Sequence, residues 1–189
     1  IDVGAECGDT PLYYASRGAK VFAFEPMKAH YDAMIRNLSL NPELAKRITP
    51  INAAIGKDGM LKFYHSNRSD IAEVSSFVYN IHGDDAVVFD DVRGYSLSSA
   101  IREFNIPYVD ILKTDCKGCE FYLTKEDLEK VDQVKIEYAA FEFTKHNLTE
   151  LTKILDESGF EYMIYRINPN RERSSNLLSG HLFGKKIKS

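Results

Sequence analysis

The sequence has no tryptophan and only three cysteines among its 189 residues, and it shows no internal repeat and no low-complexity tract. Cys7, Cys116 and Cys119 are too few, and odd in number, for a disulfide framework. No apolar run reaches the roughly 18 residues that a membrane-spanning helix needs. No charged start followed by an apolar stretch and a small-residue cleavage site is visible, so a signal-peptide pattern is missing. A reducing cytoplasm is the expected compartment. An excess of positive charge is missing too. Lys and Arg number 24 against 28 Asp and Glu, a net charge of −4, which weighs against a broad nucleic-acid-binding face. Without tryptophan, ligand binding has to be read from tyrosine fluorescence or from heat.

What is present is ordinary for a globular protein: 44% hydrophobic and 28% charged residues, with 11 glycines and 6 prolines. The length suits one domain with a sizeable core. The chain opens Ile1-Asp2-Val3-Gly4, the tail of a buried strand running into a glycine turn. Strands usually hold about five or six residues, so further residues are expected before Ile1.

Strand-like and helix-like segments then alternate. Asp9-Thr10-Pro11 reads as a capped helix start and Gly18 as its stop. Val21 to Phe24 is a short apolar strand ended by Glu25-Pro26. Tyr31, Met34, Ile35 and Leu38 recur on one helical face, closed by Asn41-Pro42. Ile48 to Ile55 is the next strand candidate. Residues 57 to 95 break the alternation with short strands at Leu61–His65, Ser75–Tyr79 and Ala86–Val92, an inserted hairpin-like segment. Leu97, Ile101 and Phe104 have helical spacing. Val109 to Thr114 and Val134 to Tyr138 are strands, and Asn147 with Glu150 forms a capping-box pattern ahead of a helix stopped by Gly159. Tyr162 to Ile167 and His181 to Gly184 are joined without an evident helix and should pair antiparallel. The pattern predicts an α/β fold: a doubly wound, mostly parallel seven-stranded sheet with an antiparallel last strand.

Asp2-Val3-Gly4-Ala5-Glu6-Cys7-Gly8-Asp9-Thr10 lies between a strand and a helix, where doubly wound sheets bind nucleotides. Its spacing, Gly4-x-x-x-Gly8, is not the dinucleotide fingerprint G-x-G-x-x-G, because Glu6 stands at the middle glycine. A pyrophosphate would be held off by the side chain and repelled by its charge. Glu25, 17 residues after Gly8, ends the second strand, and an ionised carboxylate there accepts both hydroxyls of a ribose. Together these residues describe a site for adenosine without phosphate, and S-adenosylmethionine fits. Its amino and carboxylate groups belong near Asp2 and the turn, its ribose on Glu25.

On these residues the chain resembles the FkbM-type S-adenosylmethionine-dependent methyltransferases. The family's D-V-G-A-x-x-G turn is matched by Asp2 to Gly8, with threonine one place early at Thr10. Its A-F-E-P strand end is Ala23-Phe24-Glu25-Pro26, its N-L-x-L-N helix end is Asn37 to Asn41, and its D-x-L-K-x-D-x-E-G-x-E segment is Asp110 to Glu120. Asn52-Ala53-Ala54-Ile55-Gly56 resembles the third-strand end, and Ser75-Ser76 falls where inserted hairpins carry paired serines. Glu6 stands for a usual asparagine and Lys117 for a usual glutamate. The resemblance implies a class I, Rossmann-like methyltransferase fold. It implies cofactor contacts from Asp2, Gly4, Ala5, Glu6, Gly8, Thr10, Glu25, Pro26, Asn52 and Ala54. The implied acceptor is an oxygen of a sugar or other small natural product.

Methyl transfer from a sulfonium needs alignment first and, for a hydroxyl acceptor, a base. Asp115, at the end of the fourth main strand, is the candidate catalytic residue: a base, a substrate-orienting group or a holder of the cofactor ammonium. Lys113, Lys117, Glu120, Glu137, Glu142 and His146 are further candidates, and Lys113 shares a strand face with Asp115, so the two should be able to pair. The remaining histidines form no ligand spacing, and no metal is expected. Cys116-Lys117-Gly118-Cys119 is expected to hold buried thiols rather than a disulfide or a metal. Arg171, Arg173, Lys185, Lys186 and Lys188 form a modest basic cluster. An RNA methyltransferase on the same core, a nicotinamide-dependent oxidoreductase and a non-catalytic adenosine-binding module are the alternatives.

Overall fold

Along the strand Val21–Phe24 every side chain is buried, the pattern of a strand covered on both faces. Val21 and Ala23 join a cluster with Ala15, Met34 and Leu38, while Phe22 and Phe24 join one with Leu97, Ile101, Leu151 and Leu155. The alternation of side chains along one strand thus feeds two hydrophobic layers. The structure is a computed structural model, and it describes residues 1–66, 87–141, 146–166 and 177–187.

The described elements are β1 (Asp2–Val3), α1 (Asp9–Ser16), β2 (Val21–Phe24), α2 (Lys28–Ser39), α3 (Pro42–Ala45), β3 (Ile48–Ile51), β4 (Ala54–Ile55), β5 (Gly59–Ser66), β6 (Val87–Tyr95), α4 (Leu97–Glu103), β7 (Val109–Thr114), β8 (Val131–Phe141), α5 (Leu148–Glu157), β9 (Phe160–Arg166) and β10 (Leu177–Lys186). Seven strands form one sheet in the order β3-β2-β1-β7-β8-β10-β9. β1, β2, β3, β7 and β8 run parallel, and β10 lies antiparallel between β8 and β9. This is the doubly wound sheet with an antiparallel last strand that the sequence predicts. The order reverses at β1, so the loops after β1 and β7 leave neighbouring strand ends and frame one crevice.

Several local expectations need correction. Gly8, with φ 87°, is the N-cap of α1, and no side chain caps that helix. Residues Ile48 to Ile55 are two strands, not one. At Asn52 the chain leaves the main sheet, the Asn52 amide donates to the carbonyls of Glu25 and Pro26, and β4 joins a separate three-stranded sheet ordered β4-β6-β5. Pro42 opens the single turn α3 rather than only closing α2. Between β7 and β8 the described chain has a 3₁₀ turn, Cys119–Tyr122, in place of a full helix. The inserted segment holds the antiparallel pair β5/β6. The strand expected at Ser75–Tyr79, and Ser75-Ser76 with it, lies outside the described residues.

The α5 start follows the capping pattern. Asn147 Oδ1 accepts the Glu150 N–H at 3.2 Å, and the Asn147 amide donates to the Glu150 carboxylate at 3.0 Å. No helix in the described residues is long and apolar enough to cross a membrane.

Candidate active site

The turn after β1 is fastened to the end of β2. The N–H groups of Gly4 and Ala5 both donate to the Phe24 carbonyl, at 3.0 and 3.1 Å, and the N–H of Glu6 donates to Glu25 Oε2 at 2.9 Å. Three successive donors of the turn are therefore used inside the protein rather than aimed at an anion. Glu6 itself has φ 46°, an uncommon conformation for a residue with a side chain. Gly4 has φ 75°, and a Cβ there would collide with the Asp115 carbonyl. Glycine is thus required for β1 and β7 to lie so close. Asn37 of α2 secures the far side of the turn by donating to the Cys7 carbonyl at 2.8 Å.

Glu25 is 4% exposed. Its Oε1 accepts the Met27 N–H at 2.8 Å while Oε2 takes that of Glu6. Burial raises its pKa to about 7, against the opposing pull of those two N–H groups. Each oxygen keeps a second lone pair, so acceptor capacity for hydroxyl groups remains. His30 Nδ1 lies 3.9 Å from Oε1.

Beneath the turn, Asp2 is 1% exposed and pairs in register with Lys113 of β7. The Lys113 ammonium lies 3.0 Å from Asp2 Oδ1 and donates to the Gly4 carbonyl at 2.8 Å. Neither Asp2 oxygen has a donor in hydrogen-bonding alignment, despite the short ion pair, and the buried Thr114 Oγ1 also has no hydrogen-bond partner. Burial raises the Asp2 pKa, and the Lys113 charge opposes that rise. Lys113 therefore pairs with Asp2, not with Asp115 as the strand parity suggested. Strand parity places residues on a face, but it says nothing about the neighbouring strand.

Asp115 pairs instead with Lys117, whose ammonium donates to Asp115 Oδ1 at 2.8 Å and also to Glu137 Oε1. Those two carboxylates raise the Lys117 pKa against the effect of its burial. Glu137 faces His181 across the β8/β10 ladder, with Nδ1 3.9 Å from Oε2. Lys117 thus bridges Asp115 and Glu137, and Asp115, Glu137 and His181 line a cavity of about 230 Å³. Gly4, Glu6 and Thr10 line the same cavity, with Asp9, Thr114 and Lys135.

Of the residues expected at the site, Gly4, Glu6, Thr10 and Asp115 thus meet in one cavity. Asp2 lies under the turn and Glu25 behind it. Ala5 is buried against α1 and α2, Ala54 packs in a cluster with Met27, Phe63 and Val92, and Gly8 is close to Met34. Pro26 is half-buried, and the exposed Asn52 binds its carbonyl. Glu120 is fully buried, accepting the N–H groups of Gly118 and Ala139 at 2.8 Å each, and burial raises its pKa to about 7. His146 stacks on Phe121, with ring centroids 4.8 Å apart, and contacts Glu150. Glu142 lies outside the described residues. Cys116 and Cys119 form a disulfide, contrary to the expectation of buried thiols, and Cys7 is a free thiol. Within the described residues, Lys186 of the basic cluster donates to the carbonyls of Leu128 and Glu129. Sequence reasoning missed Lys135 and His181, which reach the cavity only through strand register.

The fold is a doubly wound α/β sheet with a cavity at its topological switch point. The Methyltransferase FkbM domain matches residues 2–162, so the chain belongs to the FkbM methyltransferase domain family. Among curated proteins no significant match is found. Solved structures are similar in fold. Methyltransferase FkbM from Methylobacillus flagellatus KT aligns with a TM-score of 0.58 and 18% identity, over 97% of this chain and 42% of that one. The METTL16 methyltransferase domain aligns at 0.56 and 12%, over 100% and 59%. Precorrin-6y C5,15-methyltransferase from Geobacter metallireducens GS-15 aligns at 0.51 and 11%, over 98% and 78%. This chain therefore spans less than two thirds of the length of the first two.

Proposed function

We propose that this protein transfers a methyl group from S-adenosylmethionine to a hydroxyl of a sugar or other small molecule. The observation that carries the reading is that, in a methyltransferase-family fold, Glu25 fastens the glycine turn from behind while Gly4 and Glu6 of that turn share one cavity with Asp115 and Glu137. The residues fit the cofactor. Thr114 Oγ1, on the cavity lining, has no hydrogen-bond partner, the carboxylates of Glu6, Asp9, Asp115 and Glu137 outnumber the ammonium groups of Lys113 and Lys135 around it, and Glu25 keeps acceptor capacity for ribose hydroxyls. The turn donors consumed by Phe24 and Glu25 disfavour a pyrophosphate, and with it a nicotinamide dinucleotide.

The bound sulfonium would supply an electrophilic methyl group. The protein's part is alignment, which can contribute about 7–11 kcal/mol. Glu25 holds the ribose hydroxyls, Asp2 and the turn accommodate the amino-acid end, and Asp115 lies at the cavity edge where an acceptor would enter. A carboxylate at this edge, Asp115 or Glu137, takes the hydroxyl proton, a role generally worth about 10²–10⁴-fold. The net charge of −4 favours a small acceptor over RNA. The test is incubation with methyl-labelled S-adenosylmethionine and either a small-molecule extract or total RNA. Label in the small-molecule fraction is expected, and label confined to RNA would overturn the acceptor assignment.

A further inference from the structure

The turn that follows Asp115 is closed on itself by the Cys116–Cys119 disulfide. It encloses Lys117 at φ 52° and Gly118 at φ 128°, so the linkage spans the two residues that aim the Lys117 ammonium at Asp115 and Glu137. The two sulfurs are not equivalent. Cys119 is 2% exposed in the main core, whereas Cys116 is only half-buried and within reach of an attacking thiolate. Glu120 places Oε2 3.4 Å from Cys116 Sγ while its carboxylate holds the N–H groups of Gly118 and Ala139. A disulfide sulfur has no hydrogen for that oxygen, but a thiol has one. Glu120 is therefore an acceptor that Cys116 can use only in its reduced form.

We propose that Cys116 and Cys119 form a reversible dithiol–disulfide couple that controls the methyl-transfer site by fixing or releasing the Lys117 turn. The effect on the cofactor rests on the function proposed above. The reductant is a dithiol, small or protein-borne. Its thiolate attacks Cys116 Sγ, the Cys116–Cys119 bond breaks, and Cys119 leaves as a thiolate that takes up a proton. The second thiol of the reductant resolves the mixed disulfide, so the reductant becomes a disulfide and the protein gains two electrons and two protons. Cys116 S–H then donates to Glu120. The turn loses its closure, Lys117 withdraws from Asp115, and with the Asp115 charge no longer offset the cavity as a whole attracts the cofactor ammonium more strongly.

The test is a titration of the wild-type protein in dithiothreitol redox buffers, followed by alkylation and mass measurement. S-adenosylhomocysteine affinity is read by calorimetry at both ends. Two cysteines should titrate together in one two-electron step while Cys7 stays alkylatable throughout. The reduced protein should bind about fivefold more tightly or better, the lower end of ordinary site-to-site coupling. The double variant Cys116→Ser, Cys119→Ser should bind like the reduced protein and ignore reductant. Three alkylatable thiols in air-equilibrated protein would overturn the couple. Equal affinity of oxidised and reduced wild type would overturn the control. Binding in neither form would reject the cofactor reading and the control with it, while the thiol titration still decides the couple.

Discussion

The carboxylate of Glu25 accepts the backbone N–H of Glu6 at 2.9 Å, so a side chain at the end of β2 shapes the turn after β1 from 19 residues away. The same residue has the acceptor capacity for a ribose. Its protonation state therefore links the geometry of the turn to the binding of a nucleoside, and both should respond to pH.

Glu25 and Glu120 each have a pKa raised by burial to about 7 from an ordinary 4.5. The folded state then holds protons more tightly than the unfolded state. The stability contributed is fully present below the unfolded pKa and is lost as pH rises through about 7, by about 3 kcal/mol for each group at most. Asp2 adds to the same trend. The urea midpoint should fall between pH 5 and pH 8, and Glu25→Gln or Glu120→Gln should flatten the fall. A level wild-type profile would contradict the burial argument. Because hydroxyl donors favour the ionised carboxylate, S-adenosylhomocysteine should bind more tightly at pH 8 than at pH 6, with proton release at the lower pH seen by calorimetry in two buffers.

Gly4→Ala would place a Cβ against the Asp115 carbonyl in a backbone held at φ 75°. Gly18→Ala is the control, with φ 93° and nothing within 4 Å. The control should cost only the strain of the left-handed conformation, about 1–2 kcal/mol. Gly4→Ala should cost clearly more and also weaken nucleoside binding, as read by thermal unfolding and calorimetry. Equal losses for the two variants would mean that the β1–β7 approach is not tight.

Lys113→Met would leave Asp2 buried without its ammonium, a change that typically costs about 3–5 kcal/mol. The penalty should shrink at low pH, where Asp2 takes a proton, and Asp2→Asn in the same chain should recover part of it. Urea unfolding of both variants at pH 5 and pH 8 provides the measurement. A single-variant loss below about 1 kcal/mol at pH 8 would show that the pair is solvated.

The parts of this fold that depend on neighbouring residues were legible in the sequence. The apolar run Val21–Phe24, the Asn147–Glu150 cap, the Gly159 stop and the antiparallel β9/β10 pair all followed from local pattern. What escaped depends on partners far along the chain. The Asn52 amide breaks the expected strand by binding carbonyls 27 and 26 residues away, and Lys113 finds Asp2 across the β1/β7 register. His181 becomes a neighbour of Glu137 only because β10 inserts between β8 and β9. At the site, Gly4, Glu6 and Asp115 were readable from the strand–turn–helix position, whereas the Lys117 bridge needed the turn conformation that follows Asp115.

Titration calorimetry of S-adenosylhomocysteine into the wild-type protein and into Glu25→Ala tests the cofactor site most directly. The wild type should bind at a single saturable site and show no comparable response to NAD, and Glu25→Ala should lose about 1–3 kcal/mol of binding free energy, the value of charged hydrogen bonds. Unchanged affinity in a folded Glu25→Ala protein, or equal binding of NAD, would contradict it.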